Sequence, residues 1–321
     1  MKKLVSIIVV LLSVGSLSVK AQYDAQLSNY WAATSYYNPS YAGQSGKLEV
    51  TLLDRMQWLG FDNAPQTMLI SAEMPLKFLG RTHGVGVMMM NETLGLFKHS
   101  MLAVQYAYKK KLFKGDFSAG IQVAKIDQTW FGSDVEIEVP GGDDYHESTD
   151  DGIPMVDITA SSIDFNLGLF YSRKNWYVGL SVTHVLEPEM SSSEDEKTTI
   201  SYLPRGYYLM GGYNIQLSNP LLELRPSVFV KSTIQMNQLD VSARLVYNKL
   251  FWAGLGWRYG DAGIVNIGAQ IKSFQAGYAY DFPLSSIRKG TTGSHEIYLK
   301  YITDLNLRKG NKNKHKSVRI L

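Results

Sequence analysis

The sequence predicts an all-β fold, an up-and-down antiparallel outer-membrane β-barrel of about 14 strands. One observation is alternation: in QLDVSARLVY, Leu239, Val241, Ala243, Leu245 and Tyr247 take one face while Asp240, Ser242 and Arg244 take the other, the period of a strand. Another is length. The segments are mostly nine to fourteen residues, near the roughly 9–11 that a tilted membrane strand needs and longer than the usual soluble strand of about 5–6. The third is parity. An even count returns both ends to one side, and the two long connections, 132–159 and 187–203, both follow odd-numbered segments, so they emerge together on the side where outer-membrane barrels carry long extracellular loops.

Along the chain, Lys2 and Lys3 precede an apolar run from Leu4 to Leu17, and Val19-Lys20-Ala21 places small residues where a signal peptidase reads. The run is shorter than the roughly 20 residues that span a bilayer, so residues 1–21 read as a signal peptide cleaved near Ala21/Gln22. Residues 22–46 read as a periplasmic N-terminal segment containing YYNPSYAG. Pro39 fixes its own φ and biases Asn38 toward extended backbone, Gly43 permits the turn into the first strand, and Tyr36, Tyr37 and Tyr41 suit a membrane interface or the barrel mouth.

The barrel occupies 47–303, with strands expected at 47–56, 65–77, 83–92, 97–111, 116–131, 160–173, 175–186, 204–216, 222–235, 238–249, 251–260, 263–271, 273–283 and 293–303. Several are joined by tight turns such as Lys174-Asn175 and Asn248-Lys249. Both long loops are acidic, the first carrying nine Asp or Glu from Asp134 to Asp157 with no Lys or Arg, while the tail at 304–321 carries Arg308, Lys309, Lys312, Lys314, Lys316 and Arg319. The net charge of +3 hides this division.

Composition agrees: Tyr 20, Phe 12, Trp 6 and Gly 28 beside 10 Pro, spread without long apolar blocks, suit β-structure. With Cys 0, neither a disulfide framework nor a lipidated cysteine is possible. The six histidines are too far apart for familiar metal spacings. Asp143, Asp144, His146, Glu147, Asp150 and Asp151 are rich in oxygen but match no defined calcium loop, and read as a solvated acidic loop. Ser294-His295-Glu296 makes no catalytic triad, because neighbours in a strand point to opposite faces. Gly84-Val85-Gly86 and Gly211-Gly212 precede no helix that would hold phosphate, and read as relief where barrel strands curve. The expectation is a chain with no catalytic, cofactor or metal site. An exported chain meets no nucleic acid, so the basic tail reads as a solvating tail or a contact for an acidic partner.

Three stretches in order, SNYWAATSYYNPSYAG, DRMQWLGFDNAPQT and GSHEIYLKY, resemble the PorP/SprF family of outer-membrane proteins in the type IX secretion and gliding apparatus of Bacteroidetes. The resembling positions are Asn38, Pro39, Tyr41, Ala42 and Gly43; Arg55, Gln57, Trp58, Gly60, Pro65 and Gln66; and His295 and Glu296. Tyr36-Tyr37 stands where the family pattern has FN, and Met56-Gln57-Trp58 where a pair of Gln often precedes Trp. The resemblance implies a non-enzymatic component that helps export or retain a large adhesin-like surface protein with a C-terminal sorting domain. It also implies contact with outer-membrane lipid and with periplasmic components of the machine. Asn38, Pro39, Tyr41, Gly43, Arg55, Gln57, Trp58, Gly60, His295 and Glu296 are then the candidate contact residues. The alternative is a porin-like diffusion channel. A barrel of about 14 strands lies between side-chain-filled and open sizes, with Asp164, Asn166, Asp240 and Arg244 lining its pore.

Overall fold

The computed structural model describes residues 24–135, 154–192, 199–234 and 236–304. The acidic stretch from Asp143 to Asp151, the expected signal sequence and the basic tail beyond Asp304 therefore lie outside the described residues. The rest is a closed antiparallel barrel of 14 strands. In chain order they are β1 Leu48–Met56, β2 Gln66–Phe78, β3 Arg81–Leu94, β4 Phe97–Leu112, β5 Gly115–Trp130, β6 Ile158–Arg173 and β7 Trp176–Thr183. There follow β8 Gly206–Tyr213, β9 Leu222–Thr233, β10 Asn237–Tyr247, β11 Phe251–Arg258, β12 Ala262–Ile271, β13 Phe274–Pro283 and β14 Ser294–Thr303. Each pairs with its sequence neighbours, and β1 pairs with β14 from Leu48↔Thr303 to Met56↔His295. That seam removes both sheet edges, so every strand's amides are paired within the membrane.

The alternation is inside-out relative to a soluble sandwich. Leu102, Val104, Leu180, Leu255, Ile267 and Ile297 are exposed on the outer wall, whereas Gln105, Gln122, Asp164, Asn166, Asp240 and Asn266 are buried on the inner one. Aromatic rings flank the apolar band at both ends. Phe97 with Trp130, Trp257 with Tyr259 and Tyr280 with Phe282 lie toward one end, and Tyr171 with Trp176 and Phe274 with Tyr301 toward the other.

The connections also sort by end. The two long ones follow β5 and β7, and the second folds a small hairpin, Glu189–Ser191 on Thr199–Tyr202, against the barrel. At the opposite end β2–β3, β4–β5, β6–β7 and β12–β13 turn at 79–80, 113–114, 174–175 and 272–273. Leu79 and Gly80, Phe113 and Lys114, and Asn248 and Lys249 all have positive φ, the backbone whose twist suits tight hairpins. We call these the long-loop end and the short-turn end. The seventh strand stops at Thr183, short of the expected 186, because His184 turns the chain at φ 52. The eighth is broken at Asn214 before Ile215–Gln216 pairs again with β9.

Residues 24–46 run through the barrel. From Ala25 to Gly43 every residue is buried except the half-buried Trp31 and Tyr41. A one-turn helix, Thr34–Tyr37, and a 3-10 turn, Pro39–Tyr41, are the only regular pieces of this plug. It enters at the short-turn end beside Lys47 and ends, going backward along the chain, at Asp24 against the long-loop end.

Candidate functional site

The interface between plug and wall gathers most of the polar side chains that the barrel buries. At the short-turn end Gly43 has φ +62, and a Cβ there would lie 2.5 Å from the Met74 carbonyl oxygen, so the family position needs glycine for both torsion and space. The Ala42 carbonyl sits on Gly84, where a Cβ would lie 1.8 Å away. Gly84 therefore opens a seat for the plug, a more specific role than relief of strand curvature.

The Asn-Pro turn docks on a second glycine patch. Gly120 and Gly168 face each other across β5 and β6, and a Cβ would lie 2.3 Å from Ser40 N at Gly120 and 2.0 Å from Asn38 Oδ1 at Gly168. With the wall so close, the Asn38 Nδ2 donates to the carbonyls of Leu169 (3.1 Å) and Leu180 (3.2 Å). Asn38 Oδ1 accepts from the Ser40 amide at 3.0 Å and caps the 3-10 turn that Pro39 begins without an amide of its own. Ser118 and Ser181 hydroxyls donate to the Ser40 and Tyr37 carbonyls at 2.6 and 2.7 Å, and Gln105 to the Ser35 carbonyl at 2.7 Å. Tyr37 packs on Phe229 at 4.7 Å and Tyr41 edge-on to Phe170 at 5.3 Å. The irregular plug backbone is thus satisfied by the wall.

Nearer the long-loop end lies a buried ionic cluster. Arg55 and Glu296 face each other across the β1–β14 seam, with Arg55 Nη1 3.4 Å from Glu296 and Nη2 2.8 Å from Asp281. Arg258 reaches Asp240 at 3.0 Å and Asp281 at 2.8 Å. The plug completes it. Glu296 accepts from the Ser28 amide (2.7 Å), the Asn29 amide (2.6 Å) and Asn29 Nδ2 (2.8 Å). The Ser28 hydroxyl bridges Asp281 at 2.7 Å and both guanidinium groups, at 2.9 Å from Arg55 and 3.1 Å from Arg258. Charges this deep stay ionised only when paired and hydrogen-bonded, and the backbone of Ser28 and Asn29 is one of those partners.

A latch closes the far end. Asp24 meets His184 Nε2 at 3.1 Å, the Thr183 hydroxyl at 3.2 Å and the Tyr208 hydroxyl, and its carbonyl accepts from Lys231 at 2.5 Å. His184 Nδ1 lies 2.7 Å from Asp164. Burial works against charging this imidazole, but Asp24 and Asp164 outweigh it and raise the His184 pKa to about 10. Burial likewise opposes the Asp24 carboxylate, and His184 and Lys231 reverse that, holding it well below the usual range.

The expected contact residues therefore fall in four places. Asn38, Pro39, Tyr41 and Gly43 lie on the plug, and Arg55 and Glu296 in the ionic cluster. Gln57, Trp58 and Gly60 lie in the β1–β2 connection at the long-loop rim, where the Trp58 amide donates to Ser294 Oγ at 3.1 Å and Gly60, at φ +112, sits against the Gly290 carbonyl. His295 points out of the barrel, 2.6 Å from the Tyr278 hydroxyl, and is separated from Glu296 by the wall. Asp164, Asn166, Asp240 and Arg244 do face the lumen, but Asp164 and Asp240 hold the plug assembly together, and Arg244 stacks on Trp31 with Cζ 4.1 Å from its ring. Ser28 and Asn29 open the first resembling stretch but were not singled out in it, and Asp24, His184, Tyr208, Lys231, Arg258 and Asp281 carried no local motif. Among the described residues no group of His, Asp and Glu is arranged to hold a metal ion.

The family model for the type IX secretion system membrane protein PorP/SprF matches residues 19–301, from just ahead of the plug to the closing strand. The chain belongs to the PorP/SprF family. Its membership makes the barrel an outer-membrane component of the type IX secretion system, a family of membrane proteins and not of known enzymes. The barrel of this PorP/SprF member is similar to Acinetobacter baumannii Omp33 at 10% identity and TM-score 0.48, covering 80% of this chain and 98% of that one. It is also similar to the Ralstonia pickettii toluene transporter TbuX at 12% identity and TM-score 0.48, covering 85% and 93%. Similarity to a Pseudomonas aeruginosa FadL homologue is at 11% identity and TM-score 0.44, covering 80% and 89%. No curated protein matches the sequence.

Proposed function

We propose that this PorP/SprF barrel is a non-catalytic component of the type IX secretion and gliding machinery. It assists export or surface retention of a large adhesin-like protein with a C-terminal sorting domain, and it does so from its rims, not as a conduit. The carrying observation is the plug: residues 25–43 run buried through the lumen and are bonded to the wall at both ends. A passing polypeptide would have to displace the Asn38 dock, the Ser28–Glu296 contacts and the Asp24 latch together.

In this reading a signal peptide is removed near Ala21/Gln22, the short-turn end with Lys47 and Asp304 faces periplasmic components of the machine, and the long-loop end faces the exported protein. The rim built from the 57–65 and 284–293 connections, laced by Leu59 to Gly293 (2.9 Å) and Thr292 to Leu59 (2.8 Å), offers a rigid contact surface there. Affinity capture from detergent-solubilised outer membranes tests this. The expected result is co-purification of a large surface protein together with secretion components, reduced when Trp58 is replaced by Ala and the barrel still folds. Capture of neither class by the native chain would refute the proposal.

A further inference from the structure

We propose that the outer wall at the short-turn end of β3 and β4 binds the phosphate of an anionic glycerophospholipid in the adjoining leaflet, through Arg81 and Lys110 flanking Tyr108. The proposal rests on the membrane reading of the barrel and not on any partner protein. Strand register puts these side chains on the lipid face: Arg81 pairs with the exposed Phe78, Tyr108 with His83, and Lys110 with Phe117. Arg81 Cζ lies 5.6 Å from the Tyr108 ring centroid and its guanidinium bonds the Tyr108 hydroxyl. His83 is enclosed behind them, 2.7 Å from the Tyr106 hydroxyl and against the Phe78 and Tyr108 rings. Arg81, Tyr108 and Lys110, with Lys109 and Lys111, line one groove.

Height and charge select the occupant. The groove lies at the strand ends, where aromatic rings and long cationic side chains meet headgroups. Leu79 and Phe113, at the tips of the two adjoining turns, are 81% and 80% exposed. Apolar tips this open are favourable when the bilayer interface covers them, which sets the cations at phosphate depth. Among the described residues the groove's one ion pair is Lys111 with Asp116, at 3.6 Å and largely exposed, and neither Arg81 nor Lys110 has a carboxylate partner. A guanidinium and an ammonium directed sideways into the leaflet, with no anion of the protein's own, match a phosphate diester with net negative charge.

Native mass spectrometry of the full chain in mixed phosphatidylglycerol and phosphatidylcholine micelles tests this. Retention of phosphatidylglycerol should exceed that of phosphatidylcholine by roughly 25-fold, and the double variant Arg81→Gln, Lys110→Gln should abolish the preference, at roughly fivefold per cation. Lys98→Gln, at the other end of β4, should keep it, and heat-modifiable gel mobility should show all variants folded. Equal retention of both lipids by the native chain would overturn the proposal. So would an undiminished preference in a folded double variant, displacement by millimolar inorganic phosphate, or stronger retention of lipopolysaccharide through the same residues.

Discussion

Glu296 shows what a single residue does in this barrel. Its two oxygens hold the backbone of Ser28 and Asn29 on the plug while it neutralises Arg55 across the closing seam. Removing one member of a buried charge set leaves the others uncompensated, which costs about 3–5 kcal/mol. Glu296→Ala and Arg258→Ala should each lower resistance to urea unfolding by that amount and expose the plug to protease, whereas Glu223→Ala, in a half-buried pair with Arg225, should change little. The latch adds a pH dependence. The His184 pKa is raised from 6.5 to about 10, so its stabilisation is complete below 6.5 and lost as pH rises through about 10. Asp24 is depressed from 3.8, so its contribution is complete above that value and lost on acidification below it. Protease protection of the plug should thus hold across neutral pH and fail above about pH 10, with His184→Gln weakening protection at pH 7 and flattening the alkaline step. An unchanged alkaline step in the variant would assign it to Lys231 and not to the histidine.

The unit of design at the scale of elements is a strand whose inner face is shaped for the plug. Gly84, Gly120 and Gly168 are spaces that the plug occupies. Gly168→Ala should push Asn38 off the Leu169 and Leu180 carbonyls and loosen the plug, raising ion leak and proteolysis several-fold. Gly263→Ala, where nothing lies within 4 Å of an added Cβ and φ is ordinary, should behave as the native chain. The strands themselves were legible because their alternation is a local signal: the expected 238–249 is observed as Asn237–Tyr247, and 97–111 as Phe97–Leu112. Parity of the long loops was legible for the same reason. Gly84 was misleading in sequence, since what fills its space is the plug backbone at Ala42, more than forty residues away along the chain.

Taken whole, the molecule is a barrel closed around its own N-terminal segment. The sequence marked Asn38 and Gly43 as special but not their path, because an irregular segment has no period to read and its partners are distributed over the wall. Arg55 and Glu296 were visible as motif residues 241 positions apart, yet only barrel closure makes them neighbours. Arg258, Asp281 and His184 were invisible as a set, since each is one inward polar residue among many on alternating strands. In the proposed reading the same closure makes a barrel of this circumference non-conducting, because the plug fills the space that water would otherwise occupy against the inner wall.

Single-channel recording in planar bilayers tests that claim most directly. The native chain should be electrically silent, and a variant lacking residues 24–43, refolded with its wall intact, should show stable conductance reduced by a saturating peptide of that sequence. Equal, stable conductance from native and deleted chains would contradict the plugged barrel and restore the diffusion channel.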